Sequence, residues 1–292
     1  MRPSTAGWLF AAPALIVIGL FFGLPVIAAL ALSLTDFDIY ALADLDNLRF
    51  VGVDNYVGLL QNPLFWKSLG NTLYFVVVGV PLSVAMSLGA ALLLHSKVSR
   101  LKPFFRTAYF APVVTTVVAV AVIWRYLFHT QYGLVNWGLS SVGIDAIDWL
   151  GDPRWAMPTI ILVAVWKNFG YNMIIFLAGL QSIPEDLYEA ARIDGAGPWK
   201  QFRHVTLPML GPVLLLVGIL TMAGYFQLFA EPYVMTQGGP LESTKSVLYL
   251  MYEEGFKWWN LGNASAVAFL LFVIMTSLTS GLLWLARKRG VE

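Results

Sequence analysis

The sequence of 292 residues contains no cysteine. Disulfides, thiolate metal sites and a cysteine nucleophile are excluded, whatever the redox compartment. Its three histidines, His95, His129 and His204, are scattered along the chain and offer no clustered metal site. Charge is scarce too: Asp, Glu, Lys and Arg make up 12% of the residues, against about 25% in an ordinary globular domain. No G-x-x-x-x-G-K-[ST] phosphate loop occurs, and "GAGPWK", from Gly195 to Lys200, lacks both its spacing and the following Ser or Thr. The chain itself is not expected to hydrolyse ATP. No internal repeat or low-complexity tract stands out.

Hydrocarbon is what the chain has in excess. Hydrophobic residues make up 58% of it, and the mean hydropathy is +0.71. A bilayer core of about 30 Å needs roughly 20 mostly apolar helical residues. Six stretches qualify, at about 8–34, 71–95, 107–128, 156–180, 209–236 and 264–286. They predict an all-α integral membrane protein with residues 1–292 as a single transmembrane domain. The first stretch follows a basic start, but it is too long for a secretory h-region of roughly 7–15 residues and reads as an uncleaved span.

Six spans put both termini on one side, and Lys and Arg decide which side. With the termini inside, Arg2, Lys97, Arg100, Lys102, Arg106, Arg192, Lys200, Arg203, Arg287, Lys288 and Arg289 are cytoplasmic, whereas Arg49, Lys67, Arg125, Arg154, Lys245 and Lys257 lie opposite. Cytoplasmic termini are therefore expected. Trp66, Trp149, Trp155, Trp258 and Trp259 sit just outside the apolar runs, as interfacial anchors do. Residues 52–66 read as an interfacial segment, Arg125 as a snorkelling cation, and "QGGP" at 237–240 as a tight outer turn. Pro81, Pro112, Pro158, Pro212 and Pro232 predict kinks and freed carbonyls.

One polar segment interrupts the oil, at 182–208. Ser182 with Glu185 three residues on has the form of a capping box, with Pro184 between them, and predicts a helix starting there. Gly195 and Gly197 end it, and Pro198 opens a second short helix carrying Trp199 and Phe202. A loop joining two spans needs no partner. This one is long, partly apolar and built of short helices that are marginal in water unless something packs on them, so docking to a soluble protein stands beside the plain-loop reading.

The residues "EAARIDGAGPWKQFRHVTLP" resemble the EAA signature of bacterial ABC importer permeases, with Glu189, Ala190, Ala191, Gly195, Val205, Leu207 and Pro208 in its places and Val205 where Ile is commoner. "VGVDNYVGLL", "FWKSLGNTL", "YFAPVV", "MTQGGPLEST" and "NLGNASAVAFLLF" extend the likeness along the chain, toward the MalF-like subunits of the carbohydrate-importing branch. The resemblance implies the type I importer permease (MetI-like) fold in a bacterial cytoplasmic, or inner, membrane. It implies a second, MalG-like permease, two copies of a cytoplasmic ATPase that bind ATP and Mg, an extracytoplasmic sugar-binding protein and an oligosaccharide substrate. No cofactor of this chain and no nucleic acid is implied. The loop at 182–208 becomes the coupling helix that the ATPase grips, with Glu189, Ala190, Ala191, Gly195, Pro198, Leu207 and Pro208 as its docking residues.

Polar side chains inside spans usually face the bundle interior or a water-filled cavity. Lys167, Asn168, Tyr171 and Asn172 share a face of the fourth span, and Thr221, Gly224, Tyr225 and Leu228 a stripe of the fifth. Such residues also serve helix packing, and Thr221 and Gly224 fit either role. Carried over from the MalF-like subunits, the sugar-holding positions are Lys167, Asn168, Tyr171, Thr221, Gly224, Tyr225 and Leu228. Lys167 departs from that pattern; snorkelling, pairing with Glu231 and binding an anionic group such as a phosphate or uronate are its alternatives, and pairing or hydrogen bonding to neutral hydroxyls is expected because no second cation stands near it in sequence. An ion-coupled secondary transporter would need a mid-membrane carboxylate, but Glu231, near a span end, is the only Asp or Glu in a predicted span.

Overall fold

The computed structural model describes residues 3–95, 102–288 and 290. Arg2, Lys97, Arg100 and Arg289, used above for the orientation of the termini, lie outside the described residues. The chain divides into two units, Met1–Trp66 with Leu250–Ile274 and Lys67–Tyr249 with Met275–Glu292.

Long apolar helices dominate. In chain order they are α1 (Gly7–Ser33), α2 (Pro63–His95), the pair α3 (Lys102–Val114) and α4 (Val117–Leu127), and α5 (Pro153–Gln181). The shorter α6 (Glu185–Ile193) precedes α7 (Gly211–Phe226) and α8 (Ala230–Met235), and α9 (Leu261–Lys288) closes the chain. Among the described residues, five stretches are long and apolar enough to cross a membrane when α7 and α8 count as one, or six when α3 and α4 also do. Helix α2 starts at Pro63 and runs for 33 residues, about 50 Å at 1.5 Å per residue, well beyond the hydrocarbon thickness. The segment read as interfacial forms a separate helix, Asp54–Gln61, ended at Asn62.

In the first unit, side chains of the Asp54–Gln61 helix tie the turn after α1. Asn55 Nδ2 donates to the carbonyls of Ser33 and Thr35, each at 2.8 Å, and the hydroxyls of Ser33 and Tyr56 share a hydrogen bond of 2.6 Å. Gly262 comes so close that a Cβ there would lie 2.2 Å from the Thr35 carbonyl oxygen.

In the second unit the core forms where α2, α5 and α7 meet, from Ala91, Leu94, Met173, Phe176, Leu177, Leu180, Leu210 and Val217. Helix α3 lies on α5. A Cβ on Gly170 would sit 1.9 Å from the Tyr109 carbonyl oxygen, so only glycine lets these two backbones approach. Asn172 stitches α5 to α7 and α2 with polar contacts, donating to Thr221 Oγ1 at 2.9 Å and to Ser83 Oγ at 3.5 Å. Asp152 caps α5 by accepting from the Arg154 N–H at 2.8 Å. The side-chain hydrogen bond from Arg154 holds the Asp152 carboxyl below the usual carboxylate range.

Two predicted spans are not continuous rods. The third, expected at 107–128, turns by 100° between α3 and α4. Thr115 Oγ1 donates to the Pro112 carbonyl at 2.6 Å, and Thr116, in extended backbone, caps a fresh helix, so the side chains at the turn satisfy groups a straight helix would pair internally. The fifth, expected at 209–236, breaks at 227–229. A continuing helix would pair the Leu228 carbonyl with the N–H at 232, but Pro232 has none. The Leu228 carbonyl accepts instead from the Ser246 hydroxyl. Arg125 does not simply snorkel: its Nη1 donates to the Val234 carbonyl at 3.4 Å in the last turn of α8, the helix on which α4 packs.

Candidate functional site

The two breaks border one cavity of about 490 Å³, within the usual range of small-molecule sites. Val113 and Val117 reach it from the turn between α3 and α4; Gln227, Leu228 and Phe229 reach it from the break between α7 and α8. The middle of α5 and the end of α7 form its polar wall. All seven residues predicted as substrate contacts line it: Lys167, Asn168, Tyr171, Thr221, Gly224, Tyr225 and Leu228.

They do not line it in the same way. Lys167 and Asn168 are half-buried, and Tyr171 is 48% exposed. A Cβ on Gly224 would meet nothing within 4 Å, so this glycine opens the wall instead of packing another helix. Thr221 is buried and bonded to Asn172, which makes it part of the helix clasp as well as of the lining. Leu228 is buried, with its carbonyl held by Ser246.

Tyr225 is set most firmly. A Cβ on Gly79 would lie 2.7 Å from its ring, so glycine in α2 makes the berth in which the ring lies. Phe75, one turn before Gly79 in the same helix, also packs on it, with ring centroids 4.9 Å apart. Ser83 and Asn168 flank the Tyr225 hydroxyl, yet no described group completes a hydrogen bond with that buried oxygen. A buried hydroxyl left open at a cavity wall is a costly arrangement that a bound polar molecule or water relieves.

Residue-type reasoning overlooked some of the wall. Phe75, Val113, Val117 and Gln227 were not foreseen, and Glu231, read as close to a span end, faces the cavity. The helix break brings Glu231 there, in the first turn of α8.

At the end of the unit where α5 and α7 are joined, residues 182–208 form a helix, a turn and a helix. The expected capping box is not made. Ser182 ends α5, and its hydroxyl donates to the Gly179 carbonyl at 2.8 Å, while extended Pro184 opens α6. Gly195, at φ +75°, ends α6 as predicted. Pro198 starts a short helix, and Trp199 and Phe202 hold their ring centroids 5.5 Å apart. Glu189, Ala190, Gly195, Pro198, Leu207 and Pro208 are exposed and Ala191 is half-buried. Ile193 is 87% and Trp199 70% exposed. Tyr188, unremarked in the sequence, fastens this element by a hydroxyl-to-hydroxyl bond of 3.0 Å to Thr206, and Ile183 enters the core.

A cavity among broken spans, with an exposed helical element joining two of its wall helices, fits a multi-pass membrane permease. The family described as binding-protein-dependent transport system inner membrane component matches residues 79–290, and this chain belongs to that family. It is a transport permease subunit of the cytoplasmic membrane. The lactose transport system permease protein LacF of Rhizobium radiobacter is 38% identical over 288 residues, which cover 97% of this chain and 94% of that protein. The trehalose/maltose transport system permease protein MalF of Thermococcus litoralis is 35% identical over 291 residues, 99% of this chain and 96% of its own. In fold, the chain is similar to one in the crystal structure of a bacterial alginate ABC transporter in complex with an alginate pentasaccharide-bound periplasmic protein. The TM-score is 0.83 at 23% identity, over 97% of this chain and 96% of that one.

Proposed function

We propose that this subunit forms one half of the pore of an ATP-driven sugar importer, with a second, MalG-like permease as the other half. The observation that carries this reading is the cavity at the middle of α5 and the end of α7, whose polar wall leads along the same two helices to the exposed element at 182–208. In this reading the termini are cytoplasmic, and two ATPase copies holding ATP and Mg grip α6 and its flanks at Glu189, Ala190, Ala191, Gly195, Pro198, Leu207 and Pro208. An extracytoplasmic binding protein delivers the sugar to Lys167, Asn168, Tyr171, Thr221, Gly224, Tyr225 and Leu228. ATP-dependent closure of the ATPases moves α6 as a rigid body and shifts the cavity between outward-open and inward-open populations. The names of the lactose and trehalose/maltose relatives support a di- or oligosaccharide cargo.

The test is ATP hydrolysis and uptake by the reconstituted complex with a panel of sugar-loaded binding proteins. Hydrolysis stimulated by a loaded binding protein, with sugar accumulation, is expected, and Tyr225→Ala should slow uptake at low sugar while the ATPase stays bound. Uptake by this chain alone under an ion gradient would replace the reading with a secondary transporter.

A further inference from the structure

The cavity has 18 lining residues, and two of them are charged: Lys167 and Glu231. They have opposite signs when ionised, and they line the same cavity. Yet they do not close on each other. The ion pairs among the described residues, such as Lys67 with Glu242 and Lys257 with Glu253, lie elsewhere, and none of the described groups hydrogen-bonds Lys167. A cation near the middle of a span is costly, and a counter-charge in the same cavity offsets that cost only in part while the two form no ion pair. The gap is also not a hydrophobic one. Asn168, Tyr171 and Gln227 offer further polar groups around it, and the Tyr225 hydroxyl is open on the same wall.

We propose that Lys167 and Glu231 are a split charge pair that selects an uncharged saccharide, whose hydroxyl groups bridge the gap between them. This rests on the import reading above and names its substrate class. The chemistry follows from the donor inventory. An ammonium is donor-only and an ionised carboxylate acceptor-only, whereas each sugar hydroxyl both donates and accepts. One hydroxyl therefore accepts from Lys167 Nζ while a neighbour donates to a Glu231 oxygen, and both bonds are charge-assisted. With both groups ionised, the cavity is neutral when empty and stays neutral when such a guest enters. A uronate or sugar phosphate gains Lys167 but brings a second negative charge into a low-dielectric space that Glu231 already occupies, and like charges there repel strongly. Lys167 alone would have favoured an anionic cargo, and Glu231 reverses that preference.

The test uses the purified importer in nanodiscs, this chain with its partner permease and ATPase, without binding protein. The probes are lactose, maltose and trehalose, each beside its C6-oxidised uronate, with affinities read by saturation-transfer NMR. At least one neutral sugar should bind about tenfold or more tightly than its uronate, equivalent to about 1.4 kcal/mol. Glu231→Gln should shrink that ratio about tenfold by admitting the uronate, and Lys167→Gln should weaken the neutral sugar by a similar factor. The exchange Lys167→Glu with Glu231→Lys should recover neutral-sugar binding, which a merely structural role for the lysine does not predict. Uronates that bind as well as the neutral sugars, a ratio unmoved by Glu231→Gln, or no neutral sugar bound at all would each overturn the proposal. The import reading is judged apart from this, by ATP hydrolysis of the unsubstituted complex on adding a loaded binding protein.

Discussion

Gly79→Ala is the smallest substitution that reaches the cavity from behind. The new methyl would lie 2.7 Å from Cε2 and 3.0 Å from Cδ2 of Tyr225, where carbon atoms settle at about 3.5–4.0 Å. The ring must withdraw by about 1 Å. Phe75 packs on it, and the open side is the cavity, so the ring moves into the space proposed for the sugar. Overpacking of this kind costs about 1–3 kcal/mol, and the better helix propensity of alanine returns about 1 kcal/mol. The single variant should therefore lose at most about 2 kcal/mol and still fold, with slower uptake. With Tyr225→Ala the clash has no partner, so a double-mutant cycle read by SDS-titrated unfolding of the purified protein should show coupling of about 1–3 kcal/mol. Additive effects within about 0.5 kcal/mol, or full-rate uptake by Gly79→Ala, would refute the placement of the ring.

Gly170→Leu should fail more severely, since its Cβ meets the Tyr109 backbone 1.9 Å away and α3 has to leave α5; roughly 3 kcal/mol or more should appear as lost thermal stability of the complex, and an unchanged melting temperature would contradict the packing. Glu189→Lys and Gly195→Trp alter exposed positions of the element at 182–208; both should leave the chain folded in the membrane but cut co-purification of the ATPase and sugar-driven hydrolysis, and normal transport by both would remove the docking assignment. Thr116→Val deletes the hydroxyl that starts α4 and should cost about 1 kcal/mol in the same unfolding assay, with no loss expected if the 100° turn is held by packing alone.

The spans were legible because about 20 apolar residues in a row have few other homes. The end of α6 was legible because Gly195 is the residue type that takes a φ of +75° without strain. Prolines marked where spans three and five are weak, but not how far they bend. The 100° turn combines the Thr115 and Thr116 side-chain bonds with packing of α4 on α8, a contact between segments remote in sequence. Helical spacing put Thr221, Gly224, Tyr225 and Leu228 on one stripe, and all four line the cavity, although Leu228 lies beyond the last turn of α7. Glu231 shows the limit of that spacing. Counting along an unbroken helix places it near the end of a span, whereas after the break it lines the same cavity as Lys167. The capping box at Ser182 was misread because the same hydroxyl could finish the preceding helix, and the carbonyl of Gly179 was nearer at hand.

The absence of cysteine makes a direct measurement available. A single cysteine in place of Ala190, on the exposed side of α6, can be cross-linked to a cysteine in the docking cleft of the ATPase, with uptake followed before and after reduction. The cross-link should form in the assembled importer, vary in yield with ATP, block uptake and be reversed by reductant. A cysteine there that never cross-links, or that is labelled by a membrane-impermeant thiol reagent from outside intact cells, would contradict the transmission of ATPase motion to the cavity through this helix.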